Sequence, residues 1–474
     1  MFHSRAADAR PPVTAAPGHR NNESHAIESG LTLAPPVTDA DVLVIGAGAA
    51  GLNAAAQLVQ AGRSVLILEA RERIGGRILT HRDPELGFPL ELGAEFIHGN
   101  APATSELLSH AGSFAIDAGG SRWSVRDGHS SPRGEMFGAV HRLMSQVSSI
   151  GEEDLAVEDF LARFASDDTL QTARAYARMM VEGFDAADPR RASVRAIARE
   201  WESMEGGQFR PATGYGELLE VLARSVTHSR LRLQTVVQSI DWAGTQVRVS
   251  ANSAAGPLEV TGRCALVTVP VSLLQLPPEV QGAIHFNPPL AEKAAALRGI
   301  ALGPVIKVLL RFRRPFWETL QAGRFASAGF LHAPDCPFPT VWTQLPARVP
   351  LLTAWMGGPR AQRLEGCDSA AIIQSALASV RQIFRMGPEL QEELAAAYVH
   401  DWQADPYTRG AYSYITVGGG GAPEALAQPL RGVLFFAGEA ASAEGSGTVE
   451  AALQSGQRAA REILHCLQSS RASP

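Results

Sequence analysis

The stretch ADVLVIGAGAAGLNAAAQLVQAGRSVLILEA, Ala40 to Ala70, leaves this chain few architectures to choose from. VLVI and VLIL are apolar runs of strand length. An alanine-rich run of helical length separates them, so the order is strand, glycine turn, helix, strand. Gly46 and Gly48 allow the turn and the close approach of a pyrophosphate, and Gly51 allows the helix to pack tightly on the strand. The helix N-terminus then faces the anion. Glu69 ends the second strand, about twenty residues beyond the glycines, where a carboxylate accepts from ribose hydroxyls. The pattern predicts an α/β protein with a Rossmann-like dinucleotide-binding domain.

With 474 residues, 45% of them hydrophobic and 19% charged, the chain can build a large core and two joined domains. A net charge of -6 and the absence of a basic run argue against nucleic acid or anionic lipid as a partner. Cys264, Cys336, Cys367 and Cys466 show no metal-ligand or C-x-x-C spacing, so reduced thiols, a cytoplasmic setting and no metal site are expected. Residues 1–39 are polar and rich in Pro and Ala and read as a disordered or extended tail. No apolar run approaches the length of a membrane span, so a soluble protein is expected.

Beyond Glu69 the sequence runs EARERIGGRILT, where Arg73, Gly75, Gly76 and Arg77 form a second permissive turn carrying guanidinium groups suited to phosphate oxygens. In ELGAEFIHG, Gly93 and Ala94 leave room for a flat ring against the backbone. Near the C-terminus, FFAGEAAS leads through a Gly/Ser loop into a helix starting near Thr448, whose N–H groups would face whatever precedes it. Val449, Ala452, Leu453, Gly456, Ala460 and Ile463 form its apolar stripe, with Glu450, Gln454, Arg458 and Arg461 toward water. In LGPVIKVLLRF, alternation puts Val305, Lys307, Leu309 and Arg311 on one face and Ile306, Val308, Leu310 and Phe312 on the other. By itself that alternation is also what a half-buried strand with a solvated lysine would show.

Taken in order, GAGAAG, EARERIGGR, ELGAEFIHG, GYGELL, TVVQSIDW, VTVPVSLL, the Lys307 strand, WQADPYTRGAYSYI and FFAGEAAS resemble the FAD-dependent amine oxidases, which include monoamine oxidases, polyamine oxidases and flavin-dependent histone demethylases. The resemblance spans Asp41 to Leu464 and is nearest to the polyamine oxidase branch. It implies FAD held by Gly46, Gly48, Ala50, Gly51, Glu69, Ala70, Arg71, Gly76 and Arg77. It extends the cofactor set to Gly93, Ala94, Glu95, Phe96, Val237, Trp402, Gly438, Glu439, Thr448 and Val449. In the same way it implies that Lys307 holds a water at flavin N5, that Trp402 packs near the ring, and that Tyr412 forms one wall of an aromatic cage. Thr448 stands where monoamine oxidases have a second tyrosine, and His98 matches a histidine lining the tunnel of polyamine oxidases. Glu95 replaces a usually uncharged residue and is a candidate to attract a second cationic nitrogen. Ala411 stands where covalent flavin attachment would need a cysteine, so FAD is expected to be noncovalent.

The implied fold is an FAD-binding domain from residues 40–100, 212–287 and 396–474, with an α+β substrate domain from 101–211 and 288–395. The implied reaction takes a hydride from the amine α-carbon to FAD, gives an imine and then an aldehyde, and reduces O2 to H2O2. Polyamines are the favoured substrates and monoamines the alternative. L-amino acids are disfavoured because ELGAEFIHG carries no arginine to clamp a carboxylate, and a desaturase or a non-catalytic flavoprotein is further still. A monomer or homodimer without a nucleosomal partner is expected.

Overall fold

The computed structural model describes residues 38–126, 129–132, 135–203, 207–226 and 230–472; the expected N-terminal tail lies almost wholly outside them. They form a mixed α/β protein around two large sheets. The first sheet runs, in spatial order, Leu231–Arg232, Val65–Leu68, Ala40–Ile45, Gly256–Val267, Val247–Ser253, Thr235–Asp241 and His285–Asn287. Leu434–Phe436 adds in parallel to the end of Gly256–Val267, which brings a strand from the C-terminal third beside the N-terminal βαβ unit.

Apart from Asp41, Ala40–Ile45 is apolar because both of its faces are covered. Val42 and Val44 pack into a cluster with the helices Ala49–Gln60 and Val449–Ala472, while Leu43 and Ile45 pack into a second cluster on the opposite face. Each such side chain removed from water contributes about 1.5–3 kcal/mol. The two helices touch closely: Asn53 Nδ2 donates to Leu453 O at 2.8 Å, and a Cβ on Gly456 would stand 2.4 Å from Ala50 O.

The second sheet has the order Leu394–Asp401, Val305–Phe312, Leu351–Gly357, Thr340–Thr343, Ala328–His332, Ser121–Arg126 and His129–Pro132. Ile306, Val308, Leu310 and Phe312 enter its main apolar cluster under the helix Ser369–Phe384, as the alternation predicts. The other face of the strand is not wet: Val305 and Leu309 are fully buried, and Lys307 is 1% exposed.

Two expected domain limits need correction. The strand Leu394–Asp401 pairs along its length with Val305–Phe312, so a boundary at 395/396 would cut a strand of the second sheet. The helix Pro102–His110 buries Ala103, Leu107 and Leu108 in the N-terminal cluster, which ties it to the βαβ unit. Its first turn is held by Glu450, which accepts from Ala103 N at 3.0 Å and Thr104 N at 2.8 Å, a carboxylate at a helix N-terminus. Glu450 is thus not turned to water as expected. Gln454 donates to it at 2.7 Å, and Arg458 reaches Phe436 O at 2.8 Å. Arg461 alone of those four is exposed.

Candidate active site

A cavity of about 630 Å³ runs between the glycine turn and the second sheet. Of the residues implied to hold FAD, all but Gly51 line it. Gly51 acts one layer back, where a Cβ would stand 2.1 Å from Gly46 O, so the close contact of helix and turn demands glycine. Gly46 has φ +108°, open to glycine and strained for other residues. Glu69 is buried and its Oε2 accepts from Ala47 N at 2.8 Å, while Oε1 accepts from Arg71 N at 3.0 Å. That carboxylate therefore fixes the turn.

The guanidinium groups differ from the expectation drawn on the IGGR turn. Arg73 is spent on backbone, donating to Ile74 O and Ile78 O at 3.1 Å and to Gly76 O at 3.0 Å. Arg77 ties three distant segments together, donating to Ala411 O at 2.9 Å and to Glu439 Oε1 at 2.6 Å. Glu439 also accepts from Ser413 Oγ at 2.6 Å and Gly447 N at 2.8 Å. This cluster fixes the end of the Gly/Ser loop beneath the helix Val449–Ala472.

Strand register sets the row of side chains facing the cavity. Lys307 lies opposite Trp355 on one neighbour and His400 on the other. Lys307 Nζ donates to Glu95 Oε2 at 2.7 Å and Gly93 O at 3.1 Å. Glu95 Oε1 accepts from Arg210 Nε at 2.8 Å and Trp342 Nε1 at 2.9 Å. With both oxygens engaged, Glu95 is not placed to attract a second substrate nitrogen. Burial opposes its ionisation, but Lys307 and Arg210 outweigh it and hold the carboxyl down to about 2.

Trp402 is 2% exposed, donates Nε1 to Leu92 O at 3.0 Å and packs on His400 with ring centroids 4.0 Å apart. Tyr412 lies nearly parallel to Trp355, 13° between planes and 6.4 Å between centroids. Both rings are anchored at the end of the helix Gln171–Gly183, Trp355 Nε1 donating to Gly183 O and the Tyr412 hydroxyl to Phe184 O. Burial, together with Asp185 and Glu200, keeps the Tyr412 phenol protonated well past its ordinary range. Thr448 lines the cavity, but its hydroxyl donates to Gly445 O at 2.6 Å and accepts from Ala451 N at 3.1 Å. It works as a helix cap rather than as a free group for orienting an amine.

His98 borders the same space against Phe184, and burial with the nearby Arg122 pushes its imidazole down to about 4, so it is neutral at physiological pH. Sequence reasoning missed Glu200, Arg122, Trp342 and Trp355, all of which line the cavity. Glu200 sits in an ordinary amphipathic helix, Val194–Ser203, and no local signal separates it from a solvated glutamate. Burial, with Glu439 adding to it, raises its carboxyl to about 7, and the neighbouring Asp185 is raised well above its ordinary range by burial and by Glu200.

One buried carboxyl behind the cavity makes a stability prediction. Glu91 accepts from Tyr215 N at 2.7 Å and Thr80 Oγ1 at 2.9 Å, yet burial outweighs these bonds and pushes it up to about 7. Its stabilising contribution is full below the ordinary value of 4.5 and is lost as pH rises through about 7. Glu95 has the opposite sign, contributing above 4.5 and losing that contribution as pH falls toward 2. Glu91→Gln is expected to flatten the decline in urea stability between pH 5 and 8, a difference on the order of 3 kcal/mol. An unchanged slope in the variant would show that Glu91 does not bind its proton more tightly in the folded state.

The family model described as flavin containing amine oxidoreductase matches residues 49–119 and 145–464. Among curated proteins, the chain is 27% identical over 456 residues to lysine-specific histone demethylase 2 of Homo sapiens, covering 89% of this chain and 53% of that protein. It is 28% identical over 457 residues to polyamine oxidase 3 of Oryza sativa subsp. japonica, covering 89% and 88%. The chain thus spans about half the length of the demethylase it matches and most of the polyamine oxidase. Among solved structures, cyclohexylamine oxidase from Brevibacterium oxydans shares the fold with a TM-score of 0.76 at 22% identity, over 91% of this chain and all of that one.

Proposed function

Because this chain belongs to the flavin containing amine oxidoreductase family, we propose that its cavity takes FAD noncovalently and oxidises an amine, an aliphatic polyamine in preference to a monoamine. No cysteine lines the cavity among the described residues, and Ala411 stands beside it, which supports noncovalent binding. Bound FAD would supply the hydride acceptor, with O2 as the final oxidant. Lys307 would present the N–H bond left over from Glu95 and Gly93 to the ring side of the cavity. Tyr412 and Trp355 would orient the amine between aromatic faces and keep water out. The carboxylate of Glu200 is suited to accept the proton an ammonium must lose before its lone pair can assist C–H cleavage.

The observation carrying the polyamine preference is the pair of carboxyls near Tyr412: burial and like charge raise the proton affinity of both, Glu200 acting on Asp185 and Glu439 on Glu200, and a cationic chain beside Glu200, which lines the cavity, would relieve that repulsion. The guanidinium of Arg122 in the same cavity favours the second reading, a monoamine with an uncharged tail, because it repels a further cation. Anaerobic mixing with spermine, spermidine, N-acetylspermine, putrescine, benzylamine, tryptamine and L-leucine separates them. Spermine or spermidine is expected to bleach the flavin fastest, and Glu200→Gln is expected to weaken polyamine binding by about tenfold while leaving benzylamine binding unchanged, with flavin reduction slowed for both. Bleaching only by benzylamine or tryptamine would replace the polyamine reading with the monoamine one. Reduction by L-leucine alone would point to Arg122 as a carboxylate clamp.

A further inference from the structure

We propose that Glu95 is a positioning residue for this chemistry: together with Arg210 and Trp342 it fixes Lys307 as an ion-paired ammonium facing the cofactor side of the cavity. This rests on the reading of the cavity as a flavin site, not on which amine is oxidised. Lys307, Glu95 and Arg210 are 1%, 6% and 8% exposed, so the cluster is removed from solvent. A buried ammonium is stable only if paired and hydrogen-bonded. Lys307 meets that condition with two acceptors, Glu95 Oε2 and Gly93 O, which leave one N–H for the cavity it lines.

Glu95 in turn is held from behind. Arg210 shares Oε1 with Trp342 and donates from Nη1 to Leu345 O at 3.1 Å and from Nη2 to Thr343 O at 3.2 Å. Its guanidinium also lies 4.6 Å from the Phe96 ring, so it has little freedom to swing away. A carboxylate between two cations is a geometry that specifies where each proton stays.

The other charged and titratable groups around Lys307 do not supply this pairing. Glu91, on the strand before Gly93, gives both oxygens to Thr80, and one of them also to Tyr215 N. His400 across the strand faces Asp405 at 3.7 Å, and Arg311 further along the same face is paired with Asp83 and Glu85. A consequence is that Lys307 acts as a fixed donor and not as the base that collects the substrate proton, which leaves that task to Glu200.

Sulfite tests this without any amine, because it adds reversibly through sulfur to flavin N5 and leaves an anionic ring that a nearby ammonium stabilises. Its dissociation constant would be measured on the FAD-loaded wild type, Glu95→Gln, Lys307→Met and the double variant from pH 6 to 9.5. The ratio of the Glu95→Gln value to the wild-type value is expected to climb by at least about tenfold across that range, as the unpaired buried lysine gives up its proton. In the Lys307→Met background the same substitution is expected to give a ratio independent of pH. A flat ratio for Glu95→Gln, or a pH-dependent ratio that survives in the double variant, would overturn the proposal. Should Glu95→Gln not retain FAD, Glu95→Asp, too short to reach Lys307, is expected to show the same climb. Failure to oxidise any amine would refute the proposed reaction and leave the sulfite result standing on its own.

Discussion

Lys307→Met is expected to slow flavin reduction by the best amine by about 10²–10³-fold, the loss typical when one fixed donor aimed at developing charge is removed. Methionine has nearly the length of lysine and can occupy the slot beside Trp342, where Lys307 Nζ now lies 5.5 Å from the ring centroid. Removing one partner of a buried pair usually costs about 3–5 kcal/mol because the other is left uncompensated. Here Arg210 remains at 2.8 Å from Glu95, so the stability loss should be smaller than that. Stopped-flow reduction and FAD content together decide the matter. A rate within tenfold of wild type on a fully loaded variant would remove Lys307 from the chemistry.

The second large effect falls on assembly of the cofactor site. Arg77→Ala leaves Glu439, 4% exposed, without its guanidinium partner, and also frees Ala411 O. Since the three residues come from separate parts of the chain, the variant loosens the Gly/Ser loop, the strand Tyr412–Ile415 and the IGGR turn at once. A destabilisation of about 3–5 kcal/mol is expected, with loss of bound FAD during purification. Arg77→Lys should recover only part of it, because lysine keeps the charge without the planar fork. Denaturant unfolding reads the effect, and a change below about 1 kcal/mol would mean the pair behaves like an exposed one.

Much of this site was legible from local sequence because its cofactor half depends on backbone geometry. Gly46 marks a place where a side chain would strain the turn and Gly51 one where a Cβ would strike a neighbouring backbone, and Glu69 follows at a spacing set by one helix and one strand. The faces of Val305–Phe312 were equally readable, since period-two alternation survives burial. The same periodicity was silent about what covered Lys307, and about Glu450 and Arg458, whose partners lie on the helix Pro102–His110 and at Phe436.

The substrate half shows the opposite case. Trp355, Glu200 and Arg122 come from a strand of the second sheet, a plain amphipathic helix and another strand of that sheet, and they meet only because those elements close around one cavity. Glu95 could be seen as an unusual charge in ELGAEFIHG, but its role changed once Arg210, Trp342 and Lys307 were found on three sides of it. By itself, then, the sequence determined the strand, turn, helix and strand of the N-terminal βαβ unit, because those preferences act between near neighbours along the chain. Tertiary structure alone decided which charges pair and which carboxyls border the cavity, because burial and distance, which set ionisation and reactivity, are properties of segments brought together from afar.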